Sequence, residues 1–173
     1  MTLFDTGTEG TLGQAFEDAA ARVLGDHAQN AASPWHGRDH WERVYRNAQV
    51  ITDAEGMQDV FRVAGYFALI HDCERENDQR DPEHGIRAAR YATKLRSDGL
   101  VSDLTDEEFG ALYTALALHD KGFTLPPSPD TGYVTIAVCW DADRLDLGRV
   151  GKQPDPRFLT TRAAKQRASS ADS

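Results

Sequence analysis

The residues of this chain best suited to chemistry are His40, the pair His71-Asp72, His84, His119 and an acidic run, Asp141-Ala-Asp-Arg-Leu-Asp146. Imidazole nitrogen and carboxylate oxygen are the donors that divalent transition metals take, so these side chains, gathered at one point, would make a metal site. His71-Asp72 closes an apolar run, Val63 to Ile70, which would place both side chains at the buried end of a helix, in reach of one cation. The other positions also adjoin apolar residues. None of them signifies alone. A histidine beside apolar neighbours is more often a hydrogen-bonded core residue than a ligand, and His119-Asp120 shows that a His-Asp pair recurs within the same chain. The weight lies in the ordered set.

Two nearby patterns lead elsewhere and fail. His36 and His40 have the spacing of the zinc-protease helix, but Gly37 stands where the glutamate base would be. His36 is therefore expected at a pocket entrance or on the surface. Cys73 adjoins the pair but belongs to no Cys-His-Asn arrangement, and it reads as a packed thiol.

Helices must position these residues. Leu12, Ala15, Phe16, Ala19, Ala20, Val23 and Leu24 recur at helical spacing, as do Trp41, Val44, Tyr45, Ala48 and Ile51 over about 38–54, with Gly56 as the stop. A third helix is predicted from Met57 to Cys73, apolar enough all round to be central. Residues 74–80 are polar and read as a loop on the lip of the site. Asp81-Pro82 has the look of a helix start, with a capping carboxylate and proline in the first turn. That helix would carry His84 and the small residues Gly85, Ala88, Ala89 and Ala92. Thr105-Asp-Glu-Glu108 matches a capping box and opens a helix that runs to His119. Lys121 to Gly132, rich in proline, is a loop. Tyr133–Leu147 contains a strand-like Val-Thr-Ile-Ala-Val, but helical spacing of Val134, Val138 and Leu145 and the lack of a partner strand favour helix. The expectation is an all-α, single-domain bundle of about six helices spanning 1–173, with its core over about 12–150 and a partly disordered tail over 151–173.

A chain of 173 residues is long enough to bury a real core, and its net charge of −9 disfavours long nucleic acid as a partner. An anionic substrate would have to be drawn locally, by a cation or a few arginines. Cys73 and Cys139 form no CxxC pair, the N-terminus lacks a leader pattern and no apolar stretch reaches membrane-spanning length. A cytoplasmic protein without membrane contact is expected.

The segments His40-Trp-Glu-Arg-Val44, Leu69-Ile-His71-Asp72 and Asp141-Ala-Asp-Arg-Leu-Asp146 resemble the HD domain superfamily of metal-dependent phosphohydrolases. With His84 and His119 between, the order H…HD…H…H…D looks like the binuclear branch, over roughly residues 36–150. The resemblance implies an all-α bundle in which His40, His71, Asp72 and a late aspartate bind a first metal. Asp72 would bridge to a second held by His84 and His119. Asp143 matches the family's A-D-x-L aspartate and is preferred as the late ligand. Helical spacing leaves Asp141 open, because Asp141 shares a stripe with Val134, Val138 and Leu145, and Asp143 one with Ile136, Trp140 and Leu147. Asp146 comes third, as a surface or supporting group. Reading His119-Asp120 as the family pair, with His84 before it, leaves too short an interval to the last aspartate.

The implied cofactor is one or two divalent ions (Fe, Mn, Zn, Ni, Co or Mg), and the implied substrate is a small phosphomonoester or phosphodiester, nucleotide-derived by the family's habit. Cations would neutralise the phosphate and acidify a water for in-line attack. Several members carry an acidic residue just after the pair. Here the third position after Asp72 is Arg75, so Glu76, or failing it Glu74, would take that role. Arg43 would contact phosphate or pair with Asp72, and Arg75 and Lys121 are further phosphate contacts. The rival readings are a di-iron oxygenase on the same ligands and a non-catalytic nucleotide- or metal-binding regulatory module.

Overall fold

A helix that is apolar on every side has to lie inside other helices. In the computed structural model, which describes residues 12–170, that helix is α4 (Gln58–Ile70), whose residues from Val63 to Ile70 are all buried. Around it stand α1 (Gln14–Asp26), α2 (Ala28–Ala31), α3 (Arg38–Glu55), α5 (His84–Ser97), α6 (Asp106–Leu118), α7 (Thr131–Arg144) and α8 (Arg162–Ser170), with no strand among the described residues. Short 3₁₀ turns follow α6 (His119–Lys121) and α7 (Leu147–Val150), and another precedes α8 (Pro156–Phe158). α4 packs against α1, α3, α6 and α7, while α5 leans on α6. Trp41, Tyr45, Tyr66, Phe67, Leu112 and Leu116 fill the space between them. Each such side chain contributes about 1.5–3 kcal/mol by leaving water.

Several expectations hold in detail. Thr105 and Glu108 form the reciprocal capping box at the start of α6. Tyr133 to Arg144 is helical, within an α7 whose first turn is capped by Asp130, which accepts from the Tyr133 amide at 3.0 Å. Trp140 ties α7 to α6 by donating its indole N–H to Ala115 O at 3.0 Å.

Three details differ. α4 stops at Ile70, not Cys73, because the chain tightens there: the Cys73 amide bonds to Ile70 O and the Arg75 amide to Asp72 O. Asp81 does not cap α5, which begins at His84. Its carboxylate instead accepts from the Glu76 amide at 2.8 Å and from Arg87 at 2.5 Å, which cinches the 74–80 loop onto α5. Where a polar tail is expected, Arg162–Ser170 forms α8, which packs on α3 through Ala163, Ala164 and Ala168. Alanine alone makes that buried face, so the segment reads as polar in sequence. The expected disorder at residues 171–173 falls outside the described residues, as do the first residues of the chain.

Two glycines set close approaches that the site needs. A Cβ on Gly85 would lie 2.7 Å from Leu116 O, so glycine lets α5 start against the end of α6. A Cβ on Gly37 would run into Ser33 O and lie 2.5 Å from Ala31 O, within the tight loop that leads into α3. That loop is also held by Ser33, whose hydroxyl accepts from the Trp35 and His36 amides. Gly37→Ala is expected to destabilise the fold by about 1–3 kcal/mol through this overpacking, read as a lower urea midpoint with an unchanged slope.

Candidate metal centre

All four histidines of the series sit at helix ends: His40 in the first turn of α3, His71 just past α4, His84 at the start of α5 and His119 just past α6. Three of the rings turn Nδ1 to backbone carbonyls at these ends. His71 Nδ1 lies 3.2 Å from Phe67 O and 3.1 Å from Ala68 O. His119 Nδ1 is 2.8 Å from Leu116 O, and His84 Nδ1 is 2.5 Å from Asp81 O. His40 Nδ1 finds a carboxylate instead, Asp146 Oδ2 at 2.7 Å. These partners only accept, so each Nδ1 carries a hydrogen, which in the neutral ring leaves Nε2 with a lone pair.

The lone pairs face one another. His40 Nε2 is 2.9 Å from His71 Nε2, and His84 Nε2 is 2.9 Å from His119 Nε2. Two lone pairs at that distance repel unless a proton or a metal ion lies between them. Two imidazole nitrogens bound at about 2.1 Å to one ion and at right angles would stand about 3.0 Å apart. The donor set thus fits a divalent metal at each pair.

Asp72 serves both pairs and is 3% exposed. Its Oδ2 is 3.6 Å from His40 Nε2 and 3.7 Å from His71 Nε2. Its Oδ1 is 3.2 Å from His84 Nε2 and 3.7 Å from His119 Nε2. The groups His40/His71/Asp72 and Asp72/His84/His119 are both buried and close enough to hold an ion.

The electrostatics match. Burial takes His71 down to about 3, so its ring is neutral with a lone pair to give. Burial opposes charge on His40 too, but Asp143 and Asp146 outweigh it, and the net shift is upward. At His119 burial is likewise outweighed, chiefly by Asp72. Burial would raise the Asp72 carboxyl, yet His71, His119, His36 and His84 hold it well below the usual range. The carboxylates favour positive charge on the imidazoles, the preference that a metal ion satisfies.

Of the late aspartates, the structure places Asp143 beside the first pair, with Oδ1 3.3 Å from His40 Nε2 and 3.8 Å from His71 Nε2. Asp141 points the other way. Its oxygens accept from the amides of Thr160 at 3.0 Å and Thr161 at 2.7 Å, and from the Thr161 hydroxyl at 2.8 Å. Thr161 in turn accepts from the Ala164 amide, so Asp141 fixes the start of α8. Asp146, the third choice, orients His40 as a carboxylate behind an imidazole commonly does at metal sites.

The arginines are redistributed. Arg43 does not pair with Asp72; its Nε donates to Asp146 Oδ1 at 2.7 Å, so Asp146 stands between it and His40. Arg75 reaches the cluster, with Nη1 3.5 Å from Asp72 Oδ1 and 3.3 Å from His84 Nε2, while Gln79 O and Asn77 O hold the rest of the guanidinium. It divides a cleft of about 290 Å³, lined by His36, Asp72 and Glu76, from one of about 340 Å³, lined by His84, Asp120 and Lys121. Lys121 donates to Pro82 O and Asp120 at that second mouth. Glu76 stands on the wall of the first cleft with an exposed side chain whose ion-pair partner is Arg87 at 3.8 Å. Glu74 turns away, towards His27 at 3.2 Å.

His36 stands at the mouth of a cleft, one of the two places expected for it, and one further member of the site, Arg149, escapes sequence reasoning. His36 lies against Asp72, Nδ1 to Oδ2 at 2.8 Å, because the tight turn at Gly37 folds it inward. Arg149 places Nη2 3.8 Å from Asp143 and Nη1 4.0 Å from Asp146. The available signal is a basic residue one turn beyond the acidic run. Asp120, of the second His-Asp pair, faces the back of His84 at 3.8 Å from Nδ1 and pairs with Lys121.

No family model, no curated protein and no solved structure matches this chain. What the centre can do must follow from its own geometry.

The two aspartates separate experimentally. Asp143→Ala is expected to lose metal with little change in melting temperature of the metal-free protein. Asp141→Ala should keep its metal and lose about 2–3 kcal/mol of stability, since buried donors at α8 lose a charged acceptor. Metal analysis beside thermal unfolding of both variants checks the pair.

Proposed function

We propose that this chain is a metal-dependent phosphohydrolase of the HD-domain kind, which cleaves a small phosphomonoester or phosphodiester, with a nucleotide as the substrate class that the resemblance suggests. One observation carries the reading: two pairs of buried imidazole lone pairs face each other on either side of a carboxylate that gives one oxygen to each. Imidazole-rich donors suit Fe, Zn, Ni or Co better than Mg. Bound there, divalent ions supply charge for phosphoryl oxygens and acidify water.

The chain's own residues do the rest. His40, His71, Asp72 and Asp143 form the first cation's donor set, and Asp72, His84 and His119 form the second's. Asp146 and the helix-end carbonyls keep every ring in the tautomer that leaves Nε2 as donor. His36 fixes the Asp72 carboxylate from the cleft side. Arg75, where several HD-domain enzymes carry an acid, stands between the two clefts with Nη1 on Asp72 and His84 and Nη2 on Gln79 O, and the remaining N–H groups of those nitrogens would meet a phosphoryl group. Glu76 lines the first cleft with an exposed carboxylate, the placement that a proton donor to the leaving oxygen needs. Lys121 holds the rim of the second.

The same ligands would hold two irons for dioxygen chemistry. Arg75 and Arg149, both close to the cluster, favour an anionic phosphate instead. Open clefts on both sides of Arg75 favour a site that exchanges substrate over a purely regulatory one. No helix among the described residues is long and apolar enough to cross a membrane.

The decisive experiment combines metal analysis of protein purified without chelator with a hydrolysis screen over nucleotides and simple phosphate esters in Mn, Mg, Ni, Co and Fe. Hydrolysis of at least one ester class is expected; no turnover with any of these metals sinks the reading. His71→Ala and Asp72→Ala should each abolish metal and activity. His84→Ala should lose only the second ion. Stoichiometric metal in Asp72→Ala contradicts the shared carboxylate.

A further inference from the structure

The chain has three tryptophans, of which Trp41 and Trp140 are buried and Trp35 is 48% exposed. A lone exposed indole needs no explanation. This one has a fixed mount and a particular neighbourhood. Its amide donates to the Ser33 hydroxyl at 3.2 Å, and its carbonyl accepts from Arg149 Nε at 2.9 Å. Ser33 in turn donates to Asp78 Oδ1 at 2.6 Å, and Gly37 locks the same loop by close approach. The indole therefore stands on a held loop.

An open cleft of about 670 Å³ lies against it, lined by Trp35, Val150 and Gly151 on the apolar side and by Asp78, Gln79 and Arg149 on the polar side. Val150 is itself 39% exposed. The cleft joins the metal centre in two ways. Arg149, on its wall, reaches Asp143 and Asp146, while Asp78 also lines the cleft that contains Asp72 and His36. An apolar platform, two polar side chains and a cation are thus set side by side at the edge of the metal cluster, the composition of a small-molecule site.

We propose that Trp35 and Val150 form the subsite for a flat ring carried by the organic part of the substrate. The ring stacks on the indole, Asp78 and Gln79 meet its N–H and hydroxyl groups, and the anionic end runs past Arg149 towards the histidines. An anion suits Arg149 and a ring suits Trp35; a purely aliphatic ester leaves the indole wet. The proposal rests on the phosphohydrolase reading for the direction of the anionic end and on nothing else from it.

The test uses the full chain with the metal it retains on purification. Adenosine and ribose differ by a ring and carry no phosphate. Adenosine is expected to shield Trp35 emission from acrylamide quenching, and ribose is not. In hydrolysis, KM for AMP should be about tenfold below that for ribose 5-phosphate, the size of one ring–indole stack. Trp35→Ala should remove that difference, with kcat, metal content and KM for ribose 5-phosphate unchanged, and Trp35→Phe should restore most of it. Equal KM values for the two esters, or a preference that survives Trp35→Ala, overturns the subsite while leaving the hydrolase reading intact. Shielding by adenosine without turnover of any ester upholds the subsite and removes the hydrolase. Absence of shielding overturns the subsite whatever the turnover.

Discussion

Four imidazole nitrogens with their lone pairs turned inward, around one buried carboxylate, are the arrangement on which the rest of this molecule depends. With the rings neutral and nothing between them it is unfavourable, since acceptors then face acceptors at 2.9 Å in a space with little water. It persists because each ring is gripped from behind. Three grips are backbone carbonyls at helix ends and the fourth is Asp146. Ring orientation is thereby tied to where α4 and α6 stop and α5 starts, and small shifts in those ends matter. The early stop of α4 at Ile70 frees His71 and Asp72 from the helix at the point where both must turn to the centre.

The surrounding packing serves the same end. α4 is buried throughout its second half, so His71 emerges in the middle of the bundle. Gly85 lets α5 begin against α6, which brings His84 to His119. Gly37 draws the preceding loop so close that His36 meets Asp72 and Trp35 meets Arg149. Asp81 and Arg87 pin the polar segment after Asp72, which would otherwise be a mobile strip of charge beside the cluster.

Much of this is readable in the chain because it depends on period and order. The helices with wide apolar faces and the capping box at Thr105 declare themselves locally, and the four histidines count only as an ordered set. What stays hidden depends on contacts between distant segments. Helical spacing sets Asp141 and Asp143 on different faces of α7 without saying which face meets α3; Thr160 and Thr161 decide it by claiming Asp141. α8 has only alanines to bury, too weak a pattern to separate it from a tail. Arg43 reads in sequence as a phosphate contact or a partner for Asp72, but its Nε is taken by Asp146, which stands between it and His40 Nδ1. The pocket entrance is one of two places expected for His36, but its contact with Asp72 depends on the close approach at Gly37, which spacing does not reveal.

Charge is balanced locally at the candidate centre of this acidic protein. The chain carries −9 overall, which repels phosphate at long range. At the centre, Arg43, Arg75 and Arg149 stand against Asp72, Asp143 and Asp146. Three guanidinium groups offset three carboxylates, so any divalent ion bound among the histidines is surplus positive charge. Buried and partly buried charges are screened less than those on the surface, whose field fades within about 8 Å at physiological salt. An anion close to the clefts would feel the centre and little of the distant acidic surface. The arginines then have a second consequence. They lower the affinity of the apo site for a metal, since each opposes added charge, and they raise the affinity of the metal-loaded site for an anion. Metal and anion should therefore bind with mutual support, the anion relieving the charge that the metal introduces.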